Sequence, residues 1–224
     1  MNYQIITNEE KLLEFIDWLP ELKPNEKFYC SLFSRKKYFE TGIKSSDKSQ
    51  LSRFLSDKTK LLQNIKRLEV AVGTYQLKNM SAPQESLAFY INPNPRDLQQ
   101  ATYDGIIRLT ELLKRGKTDI EPHIEIMNCI LKSVHKKVYL DFDVDEHDFD
   151  LQQLKDIINT SCLKILKTRG GFHVLVKLSE IEPQYKKSFY QKITALGVDQ
   201  VGDIMLPVPG CTQGGFTPRF IEVF

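Results

Sequence analysis

Asp141 and Asp143 are separated by one residue, in a segment whose apolar and polar residues alternate from 138 to 144. Alternation is typical of a half-buried β-strand, so we expect both carboxylates on one face, about 7 Å apart at the backbone. Carboxylates at that spacing can hold hard divalent cations, which prefer oxygen ligands. Phosphoryl and nucleotidyl transfer use such ions, because negative charge builds up on the reacting oxygens. A solvated edge strand is the alternative, although aspartate is disfavoured in strands.

A second group of candidate residues surrounds a double-glycine turn at positions 170 and 171. Lys167, Arg169 and His173 can all donate hydrogen bonds to phosphate oxygens, and Gly171 lets a ligand approach the backbone closely. His173 begins a predicted strand, and its apolar neighbours at 172, 174, 176 and 178 occupy the other face. The imidazole should therefore point away from the core. The alternative is an ordinary hairpin with a surface histidine.

A third group lies near the end of the chain. Asp199 and Asp203 precede a Pro-Gly turn at 209–210, and either one can supply a third carboxylate to a two-ion site. A plain turn role for either aspartate is the alternative. After the turn, the segment from Thr212 to residue 215 ends in two glycines, and its backbone amides are candidates for contacting a nucleotide.

The elements predicted in the second half of the chain bring the first two groups together. Alternation and turn residues predict strands at 138–144, 163–167, 172–178 and 204–208, and helices at 151–159 and 184–196. The order β-α-β-β-α-β is the split-βαβ, or ferredoxin-like (RRM-like), arrangement. Its central strands are the first and the third, so Asp141, Asp143 and His173 should lie on neighbouring strands.

The first half of the chain is predicted to form a separate αβ module. Helices are expected at 12–19, 47–65 and 97–114, and strands at 28–33, 69–74 and 86–91. The polar stretch 114–122 is the best boundary, which divides the chain into modules at 1–120 and 121–224. The predicted fold class is therefore α+β, with an N-terminal αβ module packed on a C-terminal ferredoxin-like module.

Charge is distributed unevenly along a chain of 224 residues whose formal net charge is only +2. Residues 31–70 contain ten Lys or Arg and four Asp or Glu, whereas residues 139–150 contain six acids and no Lys or Arg. A basic lobe attracts a phosphate backbone, and crowded carboxylates repel one another unless a cation lies among them. Arg35, Lys36, Lys37 and Arg96 are the candidates for contacts with the backbone of a template nucleic acid or with a triphosphate, and solvated surface is the alternative.

The four cysteines lie far apart and form no CxxC pair, which argues against a zinc knuckle and favours a reducing compartment. The polar first ten residues do not resemble a signal peptide. No apolar run approaches the roughly 20 residues that span a bilayer. We therefore expect a soluble, cytoplasmic protein with no membrane partner.

The three groups together resemble the archaeo-eukaryotic primase, or primase-polymerase, superfamily, across about residues 28–220. The similarity lies in the Asp-x-Asp strand, the glycine turn that leads to His173, and an aspartate before a Pro-Gly turn. It implies an RRM-like catalytic module joined to an N-terminal αβ module. It also implies that Asp141, Asp143 and either Asp199 or Asp203 bind two Mg²⁺ or Mn²⁺ ions, and that His173 contacts the phosphates of the incoming nucleotide.

Two positions depart from the family's usual pattern. Its second motif usually reads Ser-x-His, whereas Gly171 stands at the serine position here and offers only its backbone. An arginine that often precedes the Pro-Gly turn is absent, and its neighbourhood reads Leu206-Pro207. Asp199 fits the family's spacing to the turn better than Asp203 does.

The resemblance implies template-directed addition of ribo- or deoxyribonucleotides, with priming activity, in the DNA replication of a mobile element. Nucleoside triphosphates, single-stranded DNA or a primer-template, and a helicase or another replication protein are the implied partners. One alternative is a metal-dependent nuclease or phosphodiesterase that uses the same residues with water as the nucleophile. Another is a non-catalytic RRM-like binder, which needs exposed aromatic residues on its central strands, and Tyr139 is the sole candidate for that role.

Overall fold

A computed structural model describes residues 1–39, 48–78, 80–134, 136–145, 149–200 and 205–224, with the backbone alone at Asp145 and Asp199. The α-helices are α1 (Glu9–Trp18), α2 (Leu61–Lys66), α3 (Leu98–Lys114), α4 (Pro122–Lys132) and α5 (Phe189–Thr194). The 3₁₀ turns are Lys36–Tyr38, Lys58–Lys60, Gln84–Ser86, Leu151–Asp156, Thr160–Cys162 and Leu178–Glu180. The strands are β1 (Glu26–Arg35), β2 (Lys48–Ser56), β3 (Gln76–Leu77), β4 (Met80–Ser81), β5 (Leu87–Ile91), β6 (Arg96–Asp97), β7 (Tyr139–Asp145), β8 (Leu163–Lys167), β9 (Gly171–Lys177), β10 (Asp199–Gln200), β11 (Leu206–Pro207) and β12 (Arg219–Ile221).

Within these residues the strands form two five-stranded sheets and a small ribbon of β3 and β4. The first sheet has the order β11-β5-β1-β2, with β6 also paired to β1. The second sheet has the order β10-β7-β9-β8-β12. Neighbouring strands run antiparallel in both sheets. The chain therefore belongs to the mixed α+β class, as the sequence predicts.

The first sheet is organised around β1, whose ten residues pair with β2 on one side and β5 on the other. The amphipathic helix α1 begins after Asn8, whose side chain accepts a hydrogen bond from the backbone of Lys11, and it buries Leu12, Phe15 and Ile16. These residues join the apolar residues of β1 and β5 in one core cluster. Burial of this face fixes the N-terminal part of the chain around the sheet.

Two predicted elements of the first half are wrong. The helix predicted at 47–65 is instead the strand β2 followed by the short helix α2. Residues 48–56 pair along β1 from Arg35 back to Phe28, and this long-range ladder overrides their local helical spacing. The strand predicted at 69–74 is not formed, since the segment consists of turns and Gly73 has a φ of +99°, which extended backbone does not use.

In the second sheet, the strands predicted at 138–144, 163–167 and 172–178 correspond to β7, β8 and β9. Phe142, Val144, Val174 and Val176 form the buried face, as the alternation predicts. The predicted helix at 151–159 is a 3₁₀ turn over Leu151–Asp156, and the one at 184–196 shortens to α5. Their apolar residues still pack on this face, which shows that the apolar pattern predicts burial better than helix type.

The strand predicted at 204–208 was assigned to the wrong sheet. Leu206 and Pro207 form β11, which pairs with β5 in the first sheet, and β10 occupies the position beside β7. Pro207 has no amide hydrogen, so it suits the edge position that β11 holds. The chain therefore returns to the first sheet after it completes the second.

Packing does not follow the predicted boundary at residue 120. Helix α4 lies after that boundary, yet it packs on α3, where Arg108 Nε donates to Glu125 at 3.0 Å. The two sheets contact each other where Leu206 of β11 packs with Leu166 and Leu175 of the second sheet, and Trp18 at the end of α1 stacks on Tyr139 of β7 with ring centroids 4.3 Å apart. In the described ranges, every helix is too short or too polar to cross a membrane.

Candidate functional site

The register between β7 and β9 brings the predicted aspartates and histidine together. Asp143 lies directly opposite His173, and Asp141 precedes Asp143 by two residues on the same face. On the other side of β7, the backbone of Asp199 in β10 lies opposite Asp143. Three of the sequence-predicted positions thus occupy one row across the second sheet.

Asp141 and His173 form a buried pair. His173 Nδ1 lies 3.0 Å and 2.9 Å from the two carboxylate oxygens of Asp141, and an ionised carboxylate can only accept, so the ring N–H donates. Burial raises the pKa of the Asp141 carboxyl, against the opposing effect of His173. Burial alone would lower the pKa of His173, but Asp141 first and then Asp143 outweigh it and raise that pKa above 6.5. His173 thus stabilises the Asp141 carboxylate and Asp141 stabilises the protonated ring, while burial opposes both charges.

Asp143 differs from Asp141 in its surroundings. Its side chain is 53% exposed, compared with 5% for Asp141, and its Oδ1 lies 3.9 Å from His173 Nε2. Because Nδ1 is engaged by Asp141, Nε2 is the ring atom left to face Asp143. The exposed carboxylate and this nitrogen are thus the groups of the row that a ligand can reach.

A cavity of about 220 Å³ lies at this point, between the two sheets. The second sheet and its hairpin contribute acidic and polar residues to the lining, namely Asp143, Thr168, Gly170 and His173. The first sheet and the turn after β1 contribute cationic and aromatic residues, namely Arg35, Lys37, Tyr38, Lys48 and Tyr90. Met205, Pro207 and Gln213 complete the described lining. The sequence alone did not indicate Tyr38, Lys48 or Tyr90, and it indicated Gln213 for its backbone amide and not for its side chain.

The cationic lining residues come from adjacent strands of the first sheet. Arg35 at the end of β1 pairs in register with Lys48 at the start of β2, and Lys37 follows in the next turn. Charges that face one small cavity reinforce each other, because the protein screens them less than bulk water does. Cations next to an accessible carboxylate form the kind of pocket that suits a phosphate ligand together with a divalent ion.

A hydrogen-bond network crosses the cavity from one sheet to the other. Arg35 Nη1 donates to the hydroxyl of Tyr90 at 2.7 Å, and Gln213 also hydrogen-bonds to that hydroxyl. Gln213 Oε1 accepts from the backbone N–H of Arg169 at 2.9 Å. Burial first, and then Tyr38, raises the pKa of Tyr90, so its hydroxyl stays protonated. The sequence predicts a strand at residues 86–91, but no local pattern predicts these long-range partners.

Arg169 lies at the edge of the cavity, although it does not line it. Its guanidinium stacks 4.7 Å from the centroid of Tyr38 and donates to the carbonyl of Gly214. Gly214 has a φ of +63°, and a Cβ there would meet both Tyr38 and Arg169. The close approach therefore requires glycine, and Arg169 acts as a link between the hairpin, the turn after β1 and the C-terminal loop.

Three predicted nucleotide contacts are corrected by the structure. Lys167 is opposite Phe172, one residue out of phase with His173, so it lies on the other face of the sheet with its Nζ 4.3 Å from the Phe172 ring. Gly171 is buried as the first residue of β9, and Gly170 lines the cavity in its place. Thr212 is buried, and its amide donates to Ile5.

The other amides of the C-terminal loop are also engaged inside the protein. Those of residues 210, 211, 213 and 214 donate to backbone carbonyls of Pro218, Val208, Phe216 and Leu87. The segment after the Pro-Gly turn therefore holds the loop in place and does not offer these amides to a nucleotide.

The predicted nucleic-acid contacts divide into two groups. Arg35 and Lys37 line the cavity, while Lys36 in the same turn is not among the described lining residues. Arg96 is fully buried in β6, between Lys27 of β1 and Val134, so it is not available to a nucleic acid. The prediction for Arg96 is therefore wrong, because its exposure depends on long-range packing that the sequence does not display.

The third predicted carboxylate is only partly placed. The backbone of Asp199 lies opposite Asp143, its side chain lies outside the described residues, and so does Asp203 entirely. Among the described side chains, no three of His, Cys, Asp and Glu form a group that would hold a metal. The donor chemistry is nevertheless suitable, because Asp143 presents an accessible carboxylate beside Asp141 and opposite the backbone of a further aspartate.

No protein-family model, curated protein or solved structure matches the chain.

Proposed function

We propose that the chain is a metal-dependent nucleotidyltransferase of primase-polymerase type, which adds ribo- or deoxyribonucleotides to a template-bound strand. The observation that carries the proposal is the cavity in which Asp143 and His173 of the second sheet meet Arg35, Lys37 and Lys48 of the first part of the chain. A nucleoside triphosphate with bound Mg²⁺ or Mn²⁺ needs both kinds of group, carboxylates for the ions and cations for the phosphates.

The topology of the second sheet supports the same proposal. In a β-α-β-β-α-β series the first and third strands are central, and β7 and β9 have these positions between β10 and β8. We therefore propose that the second sheet has the ferredoxin-like, or RRM-like, arrangement that the primase resemblance implies. The additional strand β12 and the return of β11 to the first sheet extend that arrangement.

The proposed reaction is an in-line displacement at the α-phosphate of the bound triphosphate. The O3′ hydroxyl of the primer forms a new bond to the α-phosphorus, the bond to pyrophosphate breaks, and the hydroxyl proton is released. Bound divalent ions would supply charge stabilisation, held by Asp143 and by Asp199 or Asp203, while both oxygens of the buried Asp141, the other metal ligand that the resemblance implies, are engaged by His173. His173, fixed by Asp141, directs Nε2 toward the phosphates, and Arg35 and Lys37 offset their remaining charge.

The Asp141–His173 pair also favours one alternative, a metal-dependent nuclease or phosphodiesterase. An imidazole held at Nδ1 by a carboxylate, with Nε2 toward a cavity, is an arrangement that can activate water as a general base. The reading as a non-catalytic RRM-like binder has less support. Tyr139 is buried and stacked on Trp18, so it does not offer a ring to a nucleic-acid base.

One assay separates these functions. The protein is incubated with Mn²⁺ or Mg²⁺, a primed single-stranded DNA template and labelled ribo- or deoxyribonucleoside triphosphates. We expect primer lengthening, which Asp143→Asn abolishes and Asp156→Asn preserves, because Asp156 is an exposed carboxylate in the 3₁₀ turn after β7. Primer shortening that depends on Asp143 would replace the proposal with the nuclease. An unchanged primer with bound nucleic acid would support a binding protein.

A further inference from the structure

Tyr90 lines the cavity and joins its cationic side to the C-terminal loop, through Arg35 and Gln213. Its ring lies in β5, in the middle of the first sheet, and is only 7% exposed. Its hydroxyl contacts Arg35 and Gln213, which are 178 positions apart in the chain. A buried hydroxyl with two such partners is a rigid reference point for both.

We infer that Tyr90 is a positioning residue for the triphosphate: its hydroxyl holds the Arg35 guanidinium and the Gln213 amide in the orientation that grips phosphate oxygens. The inference rests on the proposed function and adds a recognition element to the same cavity. Tyr90 acts through Arg35 and Gln213, and has no part in bond formation.

The planar shape of the Arg35 guanidinium explains why its orientation affects phosphate binding. A guanidinium recognises phosphate through a planar fork of N–H groups, so the strength of its phosphate binding depends on its orientation as well as on its charge. One nitrogen of that fork, Nη1, is fixed by Tyr90 at 2.7 Å, and the rings of Tyr38 and Tyr90 lie 5.7 Å and 5.9 Å from the guanidinium carbon. The two rings limit sideways movement, and the hydroxyl sets the rotation.

Gln213 extends the same control to the second sheet. Its Oε1 accepts from the backbone of Arg169, in the hairpin that also carries Gly170 and leads to His173. The interaction with Gln213 lowers the pKa of Tyr90, as a hydrogen bond donated to the phenolic oxygen does, so the amide N–H₂ faces the Tyr90 hydroxyl. The contacts from Arg35 through Tyr90 and Gln213 to the hairpin therefore fix the position of the cationic residues of the first sheet relative to His173 of the second.

The direct test is Tyr90→Phe, which keeps the ring and removes the hydroxyl. We expect the Kd for a fluorescent ATP analogue, measured with Mn²⁺, and the KM for nucleotide in primer extension both to rise about tenfold. The kcat should stay within about twofold, because binding that is equal in ground and transition states changes KM alone. Tyr75→Phe is the matched control, since it removes another hydroxyl, bonded to the Leu68 carbonyl at 2.9 Å in the first core, and should leave Kd unchanged.

A double-mutant cycle separates positioning from a general loss of structure. Arg35→Lys keeps the charge but loses the fork, and should by itself raise Kd by a similar factor. If Tyr90 acts through Arg35, Tyr90→Phe in the Arg35→Lys protein should add little, whereas independent effects would multiply to about a hundredfold. Multiplicative effects, or a Tyr90→Phe protein that binds nucleotide as well as the unaltered protein, would overturn the inference.

These results are distinguishable from a failure of the proposed function. If the unaltered protein extends primers but Tyr90→Phe changes neither KM nor Kd, the positioning role fails and the nucleotidyltransferase proposal stands. If the unaltered protein neither binds the ATP analogue nor extends a primer, both are rejected.

Discussion

His173 Nδ1 lies 2.9 Å and 3.0 Å from the two carboxylate oxygens of Asp141, so that one donor is shared by both oxygens of a single buried carboxylate. Asp141 and Asp143 are equivalent in the sequence pattern, yet they have different partners in the structure. Asp141 holds an imidazole inside the protein, whereas Asp143 is half exposed toward the cavity. Their substitutions should therefore have different consequences.

Asp143→Asn should remove activity without a change in stability. The side chain is 53% exposed, so we expect the free energy of unfolding to change by less than about 0.5 kcal/mol. Asp141→Asn should also remove activity, but it should lower the free energy of unfolding by about 1–3 kcal/mol, because it leaves a buried imidazole poorly paired. Urea unfolding and primer extension of the two variants test this difference. Equal stability losses would contradict the distinct roles.

The titration of His173 provides a second test of the same pair. In metal-free protein, we expect NMR of the His173 ring protons to give a pKa above 6.5. In Asp141→Asn, the pKa should be lower than in the unaltered protein, since burial then opposes the charged ring with less compensation. A pKa that is the same in both proteins would show that Asp141 does not control the imidazole.

The raised pKa of His173 also predicts how stability depends on pH. The folded protein holds this proton more tightly than the unfolded chain, so the contribution to stability is fully present below about pH 6.5. It is lost as the pH rises through the folded-state pKa of His173. Urea unfolding across this window should show the decline in the unaltered protein and a smaller decline in His173→Gln.

The sequence predicts those parts of the site that depend on local alternation. The period-two pattern around Asp141 and Asp143, and the one after the double glycine, correctly give the strands and the faces of β7 and β9. The pattern also predicts that the strands of His173 and Asp143 are neighbours, once the order of elements is known. Local patterns therefore predict that Asp141, Asp143 and His173 lie together, but they do not predict the other residues that line the cavity.

Long-range pairing explains what the sequence does not predict. Lys48 enters the cavity because residues 48–56 pair with β1, which their helical spacing does not indicate. Pro207 enters because β11 pairs with β5, more than a hundred positions away in the chain. Arg96 was expected at the surface, yet tertiary packing buries it. In each case the decisive partner is distant in the chain, so a single local window cannot reveal it.

The contact between Trp18 at the end of α1 and Tyr139 of β7 is expected to contribute measurably to stability. The rings stack 4.3 Å apart, and the Tyr139 hydroxyl donates to the Trp18 carbonyl at 3.2 Å. Tyr139→Phe should cost about 0.5–1.5 kcal/mol, and Tyr139→Ala about 3–5 kcal/mol, in urea unfolding. Tyr190→Phe removes a hydroxyl on an exposed residue and should change stability by less than about 0.5 kcal/mol. A Tyr139→Ala protein as stable as that control would show that the contact between α1 and β7 does not stabilise the protein.

Gly214 and Gly215 allow the packing around Tyr38 to be measured separately from backbone strain. Both have positive φ, +63° and +81°, so alanine at either position carries a conformational cost of about 1–2 kcal/mol. A Cβ at Gly215 meets no atom within 4 Å, whereas one at Gly214 would meet Tyr38 and Arg169. Gly214→Ala should therefore lower the free energy of unfolding by more than Gly215→Ala does, and should also weaken nucleotide binding because Tyr38 lines the cavity. Urea unfolding and the Kd for the ATP analogue measure both effects. If both variants lose the same free energy of unfolding and the same affinity, the close packing of Tyr38 on Gly214 contributes to neither.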